Sequence, residues 1–234
     1  MIAVDEAFLW HVQPERLGRA RLRACWAILA DDELERAEAL HRPRGRLTYL
    51  VARALVRFAL SAHAGVPPRA WRFRRAPHGK PELAGPEGGV GLCFSLSHTD
   101  GLIACLVARV EVGVDAERRR RRVPVMPLAR RFFTAAEMRN LQEVPGAHRR
   151  ERFLRLWTLK EAYLKARGLG LAGGLDVLST HVSGGQPVET RMADDDPGLW
   201  RLGLPEVSEE HVVAYAVQSP AVRLQTCAAE RIMR

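Results

Sequence analysis

The alternation of apolar and polar positions opens weakly over residues 4–12 and predicts a first strand. A short helical stretch follows over 31–40, with Asp31 or Asp32 suited to its N-cap. The longest early helical pattern covers 44–63. Leu47, Leu50, Val51, Ala54, Leu55 and Phe58 supply its apolar positions, and Gly65 with Pro67 and Pro68 closes it. Trp71-Arg72-Phe73 predicts a short strand, and a Gly- and Pro-rich loop over 77–91 contains Gly79-Lys80-Pro81. Two strands, 92–96 and 102–107, are expected around a Thr99-Asp100-Gly101 turn, with a third over 111–117.

The second half opens on five consecutive arginines, residues 118–122. Thr134 and Glu137 have capping-box spacing and should start a helix that runs to Gln142. A long helix is expected over 148–167, with Gly168 placed to end it. Beyond it, Gly184-Gly185 and Asp194-Asp195-Asp196-Pro197 read as turns between short strands, the last clear one at 212–217. This mixture is α+β rather than a regular βαβ alternation, and it shows no internal repeat.

Composition narrows the class. The 234 residues are 47% hydrophobic and 27% charged, enough for one large or two small packed domains. No apolar run reaches the length of about 18 residues that suggests a membrane span. The first residues carry acids rather than a basic region, so no signal peptide is expected. Cys25, Cys93, Cys105 and Cys227 are scattered, with no C-x-x-C pair, and are expected to be buried apolar groups in a reducing cytoplasmic setting. The net charge is +9, from 36 basic and 27 acidic residues. Lysine occurs only three times, at Lys80, Lys160 and Lys165, and the other 33 basic residues are arginine. A compact ammonium can enter a phosphate site that a planar guanidinium does not fit, so these three positions are candidates for chemistry.

Five segments could do chemistry. In Val112-Gly113-Val114-Asp115-Ala116-Glu117 the carboxylates lie two apart on a strand and therefore share a face. Two acids on one face beside an apolar strand repel unless a cation joins them, and oxygen ligands suit Mg²⁺. The plainer alternative is a strand end entering solvent. In Trp157-Thr158-Leu159-Lys160-Glu161-Ala162-Tyr163-Leu164-Lys165, Glu161 and Lys165 share a helix face, either as an exposed ion pair or as a ligand beside a phosphate-facing amine. Ser97 and His98, in Phe94-Ser95-Leu96-Ser97-His98-Thr99, offer short donors at a strand-to-turn junction, and no G-x-S-x-G elbow accompanies them. Arg46, Arg53 and Arg57 fall on nearly one helical face, by default a solvated one. Gly79-Lys80-Pro81 is a turn presenting a rare lysine and is no Walker A loop.

The order and spacing of these segments, followed by Gly168-Leu169-Gly170-Leu171, resemble the 4′-phosphopantetheinyl transferases, in particular the larger type that activates surfactin synthetase. The resemblance runs from Arg46 to Leu171. It implies a pseudo-symmetric α+β fold of two similar halves, 1–109 and 110–234, with the active site in the cleft between them. It further implies a Mg²⁺-dependent enzyme that uses coenzyme A to modify a serine of an apo acyl or peptidyl carrier protein, releasing adenosine 3′,5′-bisphosphate. By matching positions, Asp115, Glu117 and Glu161 would hold the metal, Glu161 would act as base, and Lys165 would neutralise the leaving phosphate. Lys80, Ser97, His98 and Lys165 would contact coenzyme A, with His98 near its 3′-phosphate and Arg46 or Arg53 holding that group. Ser95 stands where many relatives carry asparagine, and Leu169 where a basic residue is common. The pseudo-dimeric architecture implies a monomer.

The rival classes explain less. A nucleic-acid-binding protein would suit the charge and residues 118–122, but no helix-turn-helix, zinc-finger or RNP pattern occurs and only 6% of residues are aromatic. Neither nucleic acid nor membrane is therefore an expected partner. A metal-dependent nuclease leaves Gly79-Lys80-Pro81 and the placement of the lysines unexplained. A non-catalytic, carrier-binding relative is at odds with the intact Asp115, Glu117, Glu161 and Lys165.

Overall fold

A computed structural model describes residues 2–76, 79–85, 91–170 and 173–233. The first half of the chain runs β1 (Glu6–Val12), α1 (Arg19–Ile28), α2 (Asp31–Glu38), α3 (Pro43–Ala64), β2 (Arg72–Arg75), β3 (Pro81–Gly85), β4 (Cys93–Thr99) and β5 (Leu102–Ala108). The second half runs β6 (Val112–Arg118), α4 (Val125–Phe132), α5 (Ala135–Gln142), α6 (Gly146–Arg167), β7 (Leu178–Ser183), β8 (Gln186–Met192), β9 (Arg201–Gly203), β10 (His211–Val217) and β11 (Arg223–Ala228). One sheet has the order β11-β1-β5-β4 and the other β6-β10-β9, with β2-β3 and β7-β8 as separate hairpins. All pairings are antiparallel except β1 with β11, which brings the late strand β11 back beside the first.

The layering follows from strands that are apolar on both faces. In β5, Ile103, Cys105 and Val107 join the core under α3, while Leu102, Ala104, Leu106 and Ala108 face the second sheet. β10 repeats this, with Val212, Ala214 and Ala216 towards α6 and Val213, Tyr215 and Val217 towards the first sheet. The result is helix, sheet, sheet, helix, with an internal core between the sheets. The two covering helices are each 22 residues long, and each ends on a left-handed glycine, Gly65 (φ 68°) and Gly168 (φ 66°). The two helix-on-sheet layers thus resemble one another, and β11 with Ala229 and Met233 joins the first of them.

The sequence pattern located α3, α5, α6, β5, β6 and β10 to within two residues, and the Thr134–Glu137 capping box forms as expected. Other elements differ. β1 starts at Glu6, because residues 4 and 5 form a turn. The N-cap of α2 is Ala30, not Asp31 or Asp32; both acids lie in its first turn, and Glu33 accepts the Ala30 N–H at 3.0 Å. Residues 81–85, inside the expected loop, form β3 and pair with β2. Residues 77, 78 and 86–90 of that loop, and Leu171, lie outside the described residues. β4 runs on to Thr99, so Ser97 and His98 lie within the strand rather than at its junction with a turn. Helices α1 and α4 had no counterpart in the sequence pattern.

One seam matters for function. Strands β4 and β6 lie side by side, yet their sheets are not joined by a main-chain ladder. Instead the Val114 N–H donates to Ser95 Oγ at 3.1 Å and the Ala116 N–H donates to Ser97 Oγ at 3.2 Å. Serine hydroxyls thus take the place of carbonyl oxygens and satisfy buried donors that would otherwise be costly. Ser95 therefore belongs to the seam between the halves.

Candidate active site

Gly113, Asp115 and Glu117 project from one face of β6, the face covered by α6. A Cβ placed on Gly113 would lie 1.8 Å from the Ala162 carbonyl oxygen and 2.5 Å from the Ala166 nitrogen. Glycine here lets the helix backbone rest directly on the strand. Glu161 and Lys165 immediately precede those two alanines, so this approach carries them to Asp115 and Glu117. Both strand acids are buried, at 7% and 8% exposure, which is uncommon for carboxylates that lack partners.

The partners are specific. Lys165 Nζ donates to Asp115 Oδ1 at 2.7 Å and to Ser97 Oγ at 2.9 Å, and the Ser97 hydroxyl donates to Asp115 Oδ1 at 2.9 Å. Lys165 therefore engages Asp115 rather than forming a helical pair with Glu161. Arg121 pairs with Glu117. The charge of the three acids is still incompletely offset. Burial, with the Asp115 charge next, raises the Glu117 carboxyl above its usual range, and the same two causes push Glu161 up to about 7. His98 is held below its ordinary value by burial and then by Lys165.

Apart from Glu161, these groups line a cleft of about 800 Å³ contributed by both halves. Ser97, His98, Thr99 and Asp100 come from one side, and Asp115, Glu117, Arg118, Arg120, Arg121 and Lys165 from the other. A smaller groove of about 220 Å³ lies between Lys80 and Lys165, walled by Phe94, Leu96 and Leu164. Lys80 bridges the halves: its Nζ donates to Glu111 at 2.8 Å and to the Ala166 carbonyl at 2.9 Å, near the C-terminus of α6.

The arginines of α3 separate. Arg46 donates to the Glu38 and Leu40 carbonyls and thereby caps α2. Arg53 and Arg57 share Glu33, and both lie over the Phe73 ring. Arg57 is fully buried, so this face is not the solvated one that the spacing suggested. Arg44, at the start of α3, makes an ion pair with Asp100, a residue that lines the cleft. Nothing in the spacing distinguished Arg44 from its neighbours. Lys160, one of the three lysines, is buried against Glu137 and the Leu178 carbonyl, a structural anchor for α5 and β7.

The donor set suits a hard divalent cation. Among the described residues no three His, Cys, Asp or Glu side chains converge into a ready-made metal cage. Mg²⁺ does not require one, since it takes one or two carboxylates and completes its shell with water and phosphate oxygens. Three repelling carboxylates with a lysine at one end are a fitting lining for such an ion.

One consequence can be tested without ligand. The folded-state value of about 7 for Glu161 lies above the ordinary 4.5, so the folded protein binds this proton more tightly than the unfolded chain. The Glu161 contribution to stability is therefore present below pH 4.5 and is lost as pH rises to about 7. In EDTA-containing buffer, thermal melts should show wild type losing stability across this window more steeply than Glu161→Gln. Equal slopes would mean that Glu161 is not held protonated by its neighbours.

Comparison with known proteins agrees with the geometry. The family model for the 4′-phosphopantetheinyl transferase superfamily matches residues 111–216, which contain β6, α6 and both acid-bearing segments. The 4′-phosphopantetheinyl transferase HetI of Nostoc sp. is 37% identical over 72% of this chain and 71% of its own length. A phosphopantetheinyl transferase of Thraustochytrium sp. is 30% identical over 89% of this chain and 75% of its own. The 4′-phosphopantetheinyl transferase Sfp of Bacillus subtilis is 23% identical over 87% and 83%. The chain belongs to the 4′-phosphopantetheinyl transferase superfamily.

Proposed function

We propose that this enzyme transfers the 4′-phosphopantetheine group of coenzyme A to a serine of an apo acyl or peptidyl carrier protein. The observation that carries the proposal is the packing of α6 on Gly113, which sets Lys165 on Asp115 and leaves Glu161 under the charge of Asp115 and Glu117. In this reading Asp115, Glu117 and Glu161 hold Mg²⁺, which would offset the negative charge of the coenzyme A pyrophosphate when bound.

The residues of the chain then divide the work. Glu161 accepts the proton of the carrier serine hydroxyl as that oxygen bonds to the β-phosphorus. The bond from that phosphorus to the oxygen bridging to the α-phosphate breaks, and adenosine 3′,5′-bisphosphate departs. Lys165, oriented by Asp115 and Ser97, faces the charge that develops on the leaving phosphate. His98 borders the same cleft and suits a further phosphate of the donor; Lys80, Arg44, Arg46 and Arg53 already hold partners within the protein.

Carrier recognition has its own support. Of residues 118–122, Arg118, Arg119 and Arg121 are paired with acids, whereas Arg120 and Arg122 have no ion-pair partner among the described residues. Arg120 lines the cleft, so one free cation stands at the edge an acidic carrier would approach. Among the described residues no helix is long and apolar enough to cross a membrane, and cytoplasmic action as a monomer is part of the proposal.

The direct test is intact-mass spectrometry of apo carriers from fatty-acid, polyketide and nonribosomal-peptide systems, each incubated with enzyme, coenzyme A and Mg²⁺. The expected result is a gain of roughly 340 Da on at least one carrier, abolished by EDTA. A gain that persists in EDTA would remove the metal from the reading; no gain on any carrier would remove the transfer.

A further inference from the structure

Arg121 touches the acid cluster, yet the transfer chemistry gives it no part. Its Nη1 pairs with Glu117 Oε1, on one of the carboxylates read as metal ligands. The two ends of the pair differ in setting: the Arg121 side chain is 49% exposed and that of Glu117 only 11%. A solvated arm thus reaches back from the turn after β6 to a carboxylate inside the cleft, and both residues line that cleft.

The main chain beneath this arm is fixed. The Arg119 N–H donates to the Glu210 carbonyl at 2.8 Å, and the Arg121 N–H donates to the Arg118 carbonyl at 2.9 Å. The side chains of Arg118 and Arg119 are tied further, to Asp100 and Glu151. Arg121 itself holds Glu117 through Nη1 and makes no other ion pair among the described residues. Freeing Glu117 therefore needs a change of rotamer at Arg121 and no backbone movement, the fastest kind of rearrangement open to a surface side chain. The pair on Asp115 is built differently, since Lys165 Nζ is shared with Ser97 Oγ and carried by α6. A guanidinium and a divalent cation on one carboxylate would also face each other at short range, where like charges repel.

We propose that Arg121 is an internal competitor of the divalent cation: guanidinium and ion take the Glu117 carboxylate alternately, which sets the metal affinity below what the three acids alone would give. This rests on the reading of Asp115, Glu117 and Glu161 as the metal site. Removing the guanidinium should tighten metal binding, and the bound ion should in turn release Arg121 to solvent, because the coupling between two competitors is reciprocal.

Titration of the protein with Mn²⁺, followed by the EPR signal of the free ion, provides the test on wild type, Arg121→Gln and Arg120→Gln. A pH of about 8.5, above the value of about 7 for Glu161, keeps protons from replacing the lost guanidinium. Arg120→Gln is the control, since it removes the same charge from a neighbouring cleft position that does not pair with Glu117. Arg121→Gln should tighten Mn²⁺ about fivefold, the scale of an ion pair with one solvated partner, and Arg120→Gln by less than about twofold. In wild type, NMR should show the Arg121 Nε–H signal moving to the position of a solvated arginine as Mg²⁺ is added. Should Arg121→Gln fold poorly, that wild-type signal decides the matter. Equal tightening in both variants would assign the effect to the general field of the arginine run and overturn the proposal. Unchanged or weaker binding by Arg121→Gln, or an Arg121 signal that Mg²⁺ leaves in place, would overturn it as well. Absence of saturable Mn²⁺ binding in all three proteins would instead overturn the metal reading on which it rests.

Discussion

Gly113→Ala is expected to lower the melting temperature by roughly 6–12 °C and to remove transferase activity, although it adds a single methyl group. A shift of that size corresponds to about 3 kcal/mol in a protein of this length, the upper part of the usual overpacking range. The added Cβ would meet the Ala162 carbonyl oxygen at 1.8 Å and the Ala166 nitrogen at 2.5 Å, and both are helix backbone. A flexible side chain could swing aside, but a helix backbone can only move as a whole. Relief therefore requires α6 to lift from β6, which separates Glu161 and Lys165 from Asp115 and Glu117. Stability and activity should fall together for that reason. Gly146→Ala, at the first residue of the same helix, is the control. Nothing lies within 4 Å of its added Cβ, so stability should hold or rise by about 0.4–1 kcal/mol. A folded, active Gly113→Ala would show that the contact of α6 with β6 does not set the site geometry.

The same glycine explains why much of this site could be read from the sequence. The i, i+2 spacing of Asp115 and Glu117 fixes their common face once β6 is a strand, and the i, i+4 spacing of Glu161 and Lys165 does so for α6. Long, strongly periodic segments with clear stops, such as α3 and α6, are legible because the signal accumulates over several turns and ends at a glycine. Helix α1 was hidden because Arg19, Arg21 and Arg23 break up the apolar stripe of Leu22, Cys25 and Trp26 in only ten residues. Strand β11 was hidden because its partner, β1, lies near the other end of the chain, and local patterning carries no trace of a pairing over that distance.

Cations were the least legible. Spacing groups Arg46, Arg53 and Arg57, but each is spent on a helix end or on Glu33, and it is Arg44 that pairs with a cleft-lining residue, Asp100. Composition marked three lysines as unusual, and one of them, Lys160, is a buried structural counter-ion. A rare residue type signals that a position is specified; only the surrounding structure tells whether chemistry or packing specifies it. Ser95 and Ser97 make the same point. Their hydroxyls satisfy main-chain donors across the seam, and Ser97 additionally orders Asp115 and Lys165.

Asp115→Asn should leave the fold standing and reduce transfer by about a thousandfold or more, the scale seen when a preorganised electrostatic group is removed. Two opposing effects bear on stability. The substitution discharges the acceptor of Lys165 at 2.7 Å, which costs a charge-assisted hydrogen bond, but it also removes the carboxylate that raises both Glu117 and Glu161. The amide keeps the size of the carboxyl and an oxygen for Ser97, so no cavity opens at this 7%-exposed position. The melting temperature should therefore move by only about 2–4 °C in either direction, the equivalent of about 1 kcal/mol. Activity has no such compensation. Lys165 loses the anion that aims it, and the acid cluster loses one of three charges available to a divalent cation. A second readout separates these losses from general damage: with the Asp115 charge gone, Glu161 should titrate below its value of about 7. NMR titration of the Glu161 carboxyl in both proteins measures this directly. A fall in that value together with lost turnover and a retained fold is the expected outcome. Retained turnover would remove Asp115 from the chemistry, and an unmoved Glu161 would mean that burial alone, without Asp115, keeps it protonated.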